Sequence, residues 1–190
     1  MTPLASSELL LIRHAPADSA GRLCGRRDVP ARIDDTAALA RLAAVLGGVR
    51  HVVTSPALRC RQTAEALFPG VTHATDARLW EQDFGAEDGM TYADLPDLGP
   101  LPREALATRR PPGGESFADM VGRVTPALEE LSVAEGPVAV VAHAGTVRTG
   151  LALALGSVPS ALAFEVAPLS ITRVRCLGGA YSVACVNLTV

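Results

Sequence analysis

Two short stretches constrain this chain more than anything else in it. Leu9-Leu10-Leu11-Ile12 runs straight into Arg13 and His14, and the pattern returns where Val138-Ala139-Val140-Val141-Ala142 delivers His143. A short strand that is apolar at every position, rather than at alternate ones, is covered on both faces. With helices alternating between such strands, this argues for an α/β sheet covered on both faces. Ligands of such sheets collect beyond the carboxyl ends of the strands. Both stretches place a histidine there, so His14 and His143 can face one another across one site. A lone strand-end histidine is usually structural, but two in matching positions carry more weight.

The segments between these strands read as helices and turns. Asp34 or Asp35 can cap a helix in which Leu39, Leu42, Val45 and Leu46 recur at helical spacing before Gly47-Gly48 ends it. A short strand, HVVTS, leads to Ser55 at a predicted N-cap with Pro56 at the first helical position. Ala57, Cys60, Ala64, Leu67 and Phe68 then form an apolar stripe. Residues 91–114 carry five prolines and read as an irregular surface excursion. Ser116 is placed to cap a helix running to about Leu131 despite Pro126, and a further helix is expected from Gly145 to Leu155. Gly178-Gly179 reads as a tight turn joining LSITRVRC to YSVACVNL, with Cys176 opposite Tyr181. The expected fold is a single α/β domain over residues 1–190, a three-layer sandwich.

Composition removes several classes of function. With a net charge of -3 and scattered arginines there is no basic stripe, so neither nucleic acid nor a membrane surface is an expected partner. The opening MTPLASSE lacks a basic n-region and no run is long enough to span a bilayer, so a cytoplasmic location is expected. All 17 Lys+Arg positions are arginine, which excludes both a P-loop lysine and a Schiff-base lysine. Cys24, Cys60, Cys176 and Cys185 form no C-x-x-C pair, and no histidine is spaced for zinc. In the hairpin register Cys185 lies about 13 Å along from Tyr181, so a bridge to Cys176 is not expected. The thiols are read as reduced.

The segment TSPALRCRQTA puts Arg59 in the first turns of a helix that follows a strand directly, near the same carboxyl edge. Arg61 also flanks the apolar stripe and reads better as a solvated arginine. Two histidines with two arginines and no metal ligands suit phosphoryl transfer. Arginines neutralise phosphoryl oxygens bidentately, and a neutral imidazole is a competent nucleophile toward phosphorus.

Taken in order, LIRHA, SPALRCRQTA, LWEQDFGAEDGMT, PPGGESF and VAHAG resemble the histidine phosphatase superfamily, which has the phosphoglycerate-mutase-like fold, and the likeness covers nearly the whole chain. The resemblance implies a mixed, mainly parallel sheet with one antiparallel edge strand. It implies that His14 becomes phosphohistidine while Arg13, Arg59 and His143 bind the phosphoryl group. Glu81 would protonate the leaving oxygen and then activate water. No metal and no cofactor are implied. Ser55 and the amides of Gly145 and Thr146 are additional candidates for phosphate donors at helix starts. The family usually has glycine where Ala15 and Ala144 stand, and an asparagine after the first motif where this chain reads PADSAGR. Ser19, Arg22 and Arg26 are candidates to replace it.

The implied reaction is hydrolysis of a small phosphate ester. Mutases of the family are longer, with an extended lid that excludes water. Phosphohistidine phosphatases are smaller and lack the segment carrying Leu79, Glu81 and Gly85. GRLCGRRDVP and PPGGESF look most like the α-ribazole phosphatase branch of cobalamin biosynthesis, with a broad-specificity sugar or nucleotide phosphatase as the alternative. A non-catalytic phosphate-binding relative would be expected to lose the nucleophile or the acid, and this chain keeps both. The oligomeric state is left open.

Overall fold

A computed structural model describes residues 6–190. The reading of the N-terminal segment rests on residues 1–5 as well, which lie outside the described residues. The chain forms β1 (Ser6–Arg13), α1 (Thr36–Val45), β2 (His51–Thr54), α2 (Leu58–Leu67) and β3 (Ala74–Thr75). It continues through α3 (Arg103–Thr108), α4 (Phe117–Ser132), β4 (Gly136–Ala142), α5 (Ala144–Leu155) and α6 (Val158–Ala161), and closes with β5 (Ile171–Leu177) and β6 (Ala180–Leu188). The six strands make one sheet in the order β3-β2-β4-β1-β5-β6.

The uninterrupted apolar run of β1 divides between two cores. Leu9 and Leu11 pack with Val138 and Val140 against Met120, Val124 and Leu128 of α4 and Val147 of α5. Leu10 and Ile12 pack on the opposite face with Ala139 and Val141, against Leu39 and Leu42 of α1 and Cys60, Ala64 and Leu67 of α2. Period-two alternation therefore feeds both faces, and the three-layer α/β sandwich follows.

β1, β2, β3 and β4 run parallel. The antiparallel strand is β5, which lies between β1 and β6 rather than at the edge, so the expected antiparallel edge strand is displaced inward by one. The reason is that β5 pairs with β1 on one side, so the Gly178-Gly179 turn folds β6 back onto its free side and β6 takes the outermost place. Both glycines have positive φ, 56° and 85°, as a two-residue hairpin turn requires, and Cys176 pairs with Tyr181. All four cysteines are free.

Three helix details depart from the pattern. Val45 is 52 % exposed, because α1 turns it past the edge of the buried stripe. α2 begins at Leu58 with Ala57 as its N-cap, two residues beyond the expected start. Asp28, distant in sequence, accepts from the Leu58 amide at 2.6 Å, while Ser55 accepts from the Ala57 amide at 3.3 Å. Residues 91–114 are not wholly irregular, since α3 forms between Pro102 and Arg109. Six helical residues are too few to show periodicity.

α4 begins as expected at Ser116, whose side chain accepts from the Asp119 amide while Asp119 accepts from the Ser116 amide. Replacing Ser116 with alanine removes the first of these bonds and is expected to lower stability by about 0.5–2 kcal/mol. Urea denaturation of the two proteins measures this directly, as a lower midpoint with unchanged slope.

Candidate active site

Strand register brings the site together. Arg13 is the partner of Ala142 in the parallel β1–β4 pair, so His14 and His143 leave the sheet side by side. The His14 amide donates to the Ala142 carbonyl at 2.9 Å, and the ring centroids lie 5.2 Å apart in an edge-on arrangement. Arg59, from the first turn of α2, is 1 % exposed and lies between the imidazoles. Its Nε donates to His14 Nε2 and its Nη2 to His143 Nδ1, each at 3.2 Å.

The tautomer of His14 follows from its two partners. The Ala15 carbonyl, 2.6 Å from Nδ1, can only accept, so Nδ1 carries the proton. Nε2 faces a guanidinium donor and therefore holds its lone pair. Burial is the largest cause that lowers the His14 pKa from 6.5 to about 3, with the hydrogen bond to Ala15 opposing it and Arg59 and Arg13 adding to it. The imidazole is neutral at pH 7 and presents an unprotonated Nε2.

His143 is completely buried and does not line the cleft, so its expected direct contact with the phosphoryl group is not what this geometry presents. Its Nδ1 accepts from Arg59, so Nε2 carries the proton and donates to Ser55 Oγ at 2.9 Å. Burial first, then the charges of its neighbours, hold its pKa well below the ordinary value. In this arrangement His143 supports Arg59, and Ser55 orients His143.

A cleft of about 320 Å³ opens above His14, walled by Arg13, Ser19, Arg22, Arg59, Glu81, Tyr92 and Arg148 among others. A larger cavity of about 480 Å³ lies on the far side of Pro16 and Pro168, but none of its lining side chains is a histidine or a cysteine. Arg13 spends Nη1 on the Val166 carbonyl at 2.6 Å, while its Nε is buried with no partner among the described residues. Burial lowers its pKa, with Glu81 opposing. Such a donor costs stability unless an anion satisfies it. Glu81 accepts from the Gln82 amide at 3.0 Å and more weakly from the Gly145 amide at 3.4 Å.

Several other expected contacts resolve differently. The Gly145 amide faces Glu81, and a Cβ at Gly145 would collide with Glu81 Oε1 and the Met120 thioether, so this glycine makes room for the carboxylate rather than for phosphate. Thr146 is fully buried, with its hydroxyl directed to the Leu79 carbonyl at 3.4 Å. Arg26 is not on the cleft wall: it lies over the Trp80 ring, 5.7 Å from the centroid, and 3.7 Å from Glu115. Ser19 and Arg22 do line the cleft, with Arg22 also donating to the Gly89 carbonyl at 2.9 Å. Arg61 is exposed. Neither Ala15 nor Ala144 is among the residues with positive φ, so alanine fits where glycine is usual.

Arg148, Tyr92, Thr63 and Arg123 were not singled out by the sequence. Arg148 stands one helical turn after Ala144, and both line the cleft, so the i, i+4 spacing was a usable signal. Thr63 accepts from the Ala15 amide at 3.0 Å and donates to the Arg59 carbonyl one turn earlier in α2 at 2.6 Å, tying the loop after β1 to that helix. Arg123 donates to the carbonyls of Arg78 and Trp80 and pairs with Glu115, holding the backbone that carries Glu81. Nothing local marks those two. Among the described residues no group of three or more His, Cys, Asp or Glu is placed to hold a metal ion, and no helix is long and apolar enough to cross a membrane.

This sheet, with paired histidines and arginines at its carboxyl edge, defines a class. The chain belongs to the histidine phosphatase superfamily (branch 1), matched over residues 9–189. It is 35% identical over 198 residues to the "Bifunctional protein Rv2228c" of Mycobacterium tuberculosis, covering 96% of this chain and 54% of that protein. The chain thus spans about half the length of the first curated relatives it matches. The glucosyl-3-phosphoglycerate phosphatase of the same organism is 32% identical over 178 residues, covering 83% of this chain and 79% of that one. A solved structure described as mycobacterial hydrolase 1 superposes with a TM-score of 0.85 at 27% identity, over 97% of this chain and 100% of that one.

The histidine pKa values set a pH dependence of stability. A histidine held at about 3 when folded and near 6.5 when unfolded binds more protons in the unfolded state between those values. Stability therefore rises with pH across that window and is lost as pH falls through it. The thermal midpoint is expected to drop as pH is lowered from 6.5 toward 3, and to drop less steeply in His14→Gln.

Proposed function

We propose that this chain is a metal-independent phosphomonoesterase that acts through a phosphohistidine on a small phosphorylated metabolite. The observation that carries this reading is the state of His14: neutral, protonated at Nδ1 against a backbone carbonyl, with Nε2 directed toward the cleft arginine.

His14 Nε2 attacks phosphorus in line with the leaving oxygen, forming the N–P bond as the ester P–O bond breaks. Arg13 and Arg59 neutralise the non-bridging oxygens, where charge is spread in the loose transition state. Glu81 gives its proton to the departing alkoxide. As a carboxylate it then takes a proton from a water that attacks the phosphohistidine, releasing inorganic phosphate and regenerating neutral His14. Arg13, His14 and Arg59 lie at a strand end and in the first turn of α2, where rigid elements hold them, and Arg123 holds the loop that carries Glu81.

For the substrate, the likeness of GRLCGRRDVP and PPGGESF to the α-ribazole phosphatase branch supports α-ribazole 5′-phosphate. A second reading is favoured by the cleft wall, where four arginines (Arg13, Arg22, Arg59 and Arg148) stand against the Glu81 carboxylate. That excess suits a phosphate ester bearing a second anionic group, such as a phosphoglycerate-type compound. The reading extends to a cytoplasmic enzyme, in keeping with four free thiols.

Hydrolysis of an aryl phosphate in excess chelator tests the chemistry. Turnover is expected in wild type and is expected to vanish in His14→Ala, whereas Glu81→Ala should keep phosphoenzyme formation with activated esters that need no protonated leaving group. Full activity of His14→Ala would sink the mechanism.

Arg148→Ala separates the two substrate readings. If the second anionic group is recognised there, kcat/KM for a phosphoglycerate-type ester falls about tenfold or more, the scale of one lost charged hydrogen bond. Neutral-tailed esters, α-ribazole 5′-phosphate included, should be nearly unaffected.

A further inference from the structure

Arg59 is a buried guanidinium with no carboxylate in direct contact among the described residues. Its protein acceptors besides the two histidines are backbone carbonyls: Arg27 from Nη1 at 2.9 Å, and Gly25 and Cys24 from Nη2 at 2.9 and 3.4 Å. The same short turn offers its amides to Asp88 on its other side. Gly25 donates to Oδ1 at 2.9 Å, and Arg26 and Arg27 donate to Oδ2 at 2.8 and 3.1 Å. Two peptide units, Cys24-Gly25 and Gly25-Arg26, therefore present their N–H to the carboxylate and their C=O to the guanidinium.

We propose that Asp88 is a positioning residue for Arg59, acting through these two peptide groups. A carboxylate that accepts an amide hydrogen polarises that peptide and strengthens its carbonyl as an acceptor. The charge of Asp88 thus reaches Arg59 in relayed form. A carboxylate in direct contact would orient the guanidinium equally well but would compete with the phosphoryl oxygens for its donors. Set one peptide plane back, Asp88 fixes the orientation of Arg59 and leaves its charge available to the anion. The turn is strapped to the Asp88 segment independently by Leu23 N to Met90 O at 2.9 Å and Gly89 N to Leu23 O at 2.8 Å. Removing the carboxylate therefore leaves those two bonds in place. The chemistry selects Asp at this place because three converging N–H groups need an acceptor-only side chain.

This inference rests on the phosphatase reading, and turnover of 2,4-dinitrophenyl phosphate by the unsubstituted protein tests that reading separately. The test of Asp88 is a cycle of wild type, Asp88→Asn, Arg59→Ala and the double variant. It is read as kcat/KM for that ester, as inhibition by orthovanadate, and as thermal midpoint. Asn keeps the size but replaces one acceptor by a donor and removes the charge. Asp88→Asn is expected to lower kcat/KM about tenfold or more, mainly through KM, and to weaken orthovanadate by a similar factor. In the Arg59→Ala background the same substitution should change neither. Asp88→Glu should recover part of the loss, and it carries the same comparison if Asp88→Asn does not fold. Equal fold-losses in both backgrounds, or losses that disappear on cooling in step with the thermal midpoint, would overturn the proposal.

Discussion

The parallel pairing of β1 with β4, in the register that sets Arg13 beside Ala142, is the constraint on which the rest of the site depends. A slip of one residue would turn Leu9 and Leu11 into the opposite core and separate the two histidines. Because both strands are apolar on both faces, the slipped register would misplace side chains in two cores at once. The edge that carries the histidines is thus specified by packing that never touches it. His14 and His143 are the first residues past the ladder, where the sheet stops covering the chain and loops can reach in.

Around that edge, neutral groups do much of the work of holding charge. Arg59 is anchored by carbonyls and imidazoles, Arg13 by the Val166 carbonyl, and His14 by the Ala15 carbonyl. Formal ion pairs sit further out, where Arg123 meets Glu115 and Arg109 meets Glu87 and fasten the loops that carry Glu81 and Asp88. The division suits the proposed activity, since a site meant to accept a dianion would not already be neutralised. One segment, residues 81–88, carries both Glu81 and the carboxylate behind Arg59, so the placement of one loop sets both carboxylates together.

The sheet, its two helical layers, the hairpin and the gathering of Arg13, His14, Arg59 and Glu81 on one cleft, with His143 buried behind it, were legible because each belongs to a local pattern. Runs of apolar residues, a cap, a turn or an ordered motif announced them. What was not legible depends on contacts between segments far apart in sequence. Asp28 caps α2, and Thr63 joins Ala15 to the Arg59 backbone. Arg26 turns to Trp80 instead of the cleft because Glu115, on a different loop, is close enough to draw it there. The inward shift of the antiparallel strand has the same origin: a turn sets which strands are neighbours, but only the assembled sheet decides which of them is outermost.

The bond from Arg59 Nε to His14 Nε2 has a consequence for what the cleft can recognise. The lone pair that would attack phosphorus is occupied by the same cation that would receive the phosphoryl oxygens. An uncharged electrophile offers Arg59 nothing in exchange and leaves the nucleophile capped. In the proposed reaction an anionic phosphate would compete with His14 Nε2 for the Arg59 Nε–H, freeing the lone pair while the carbonyls of Gly25 and Arg27 keep the guanidinium in place. On that reading, binding of the right charge and release of the reactive lone pair would be one event.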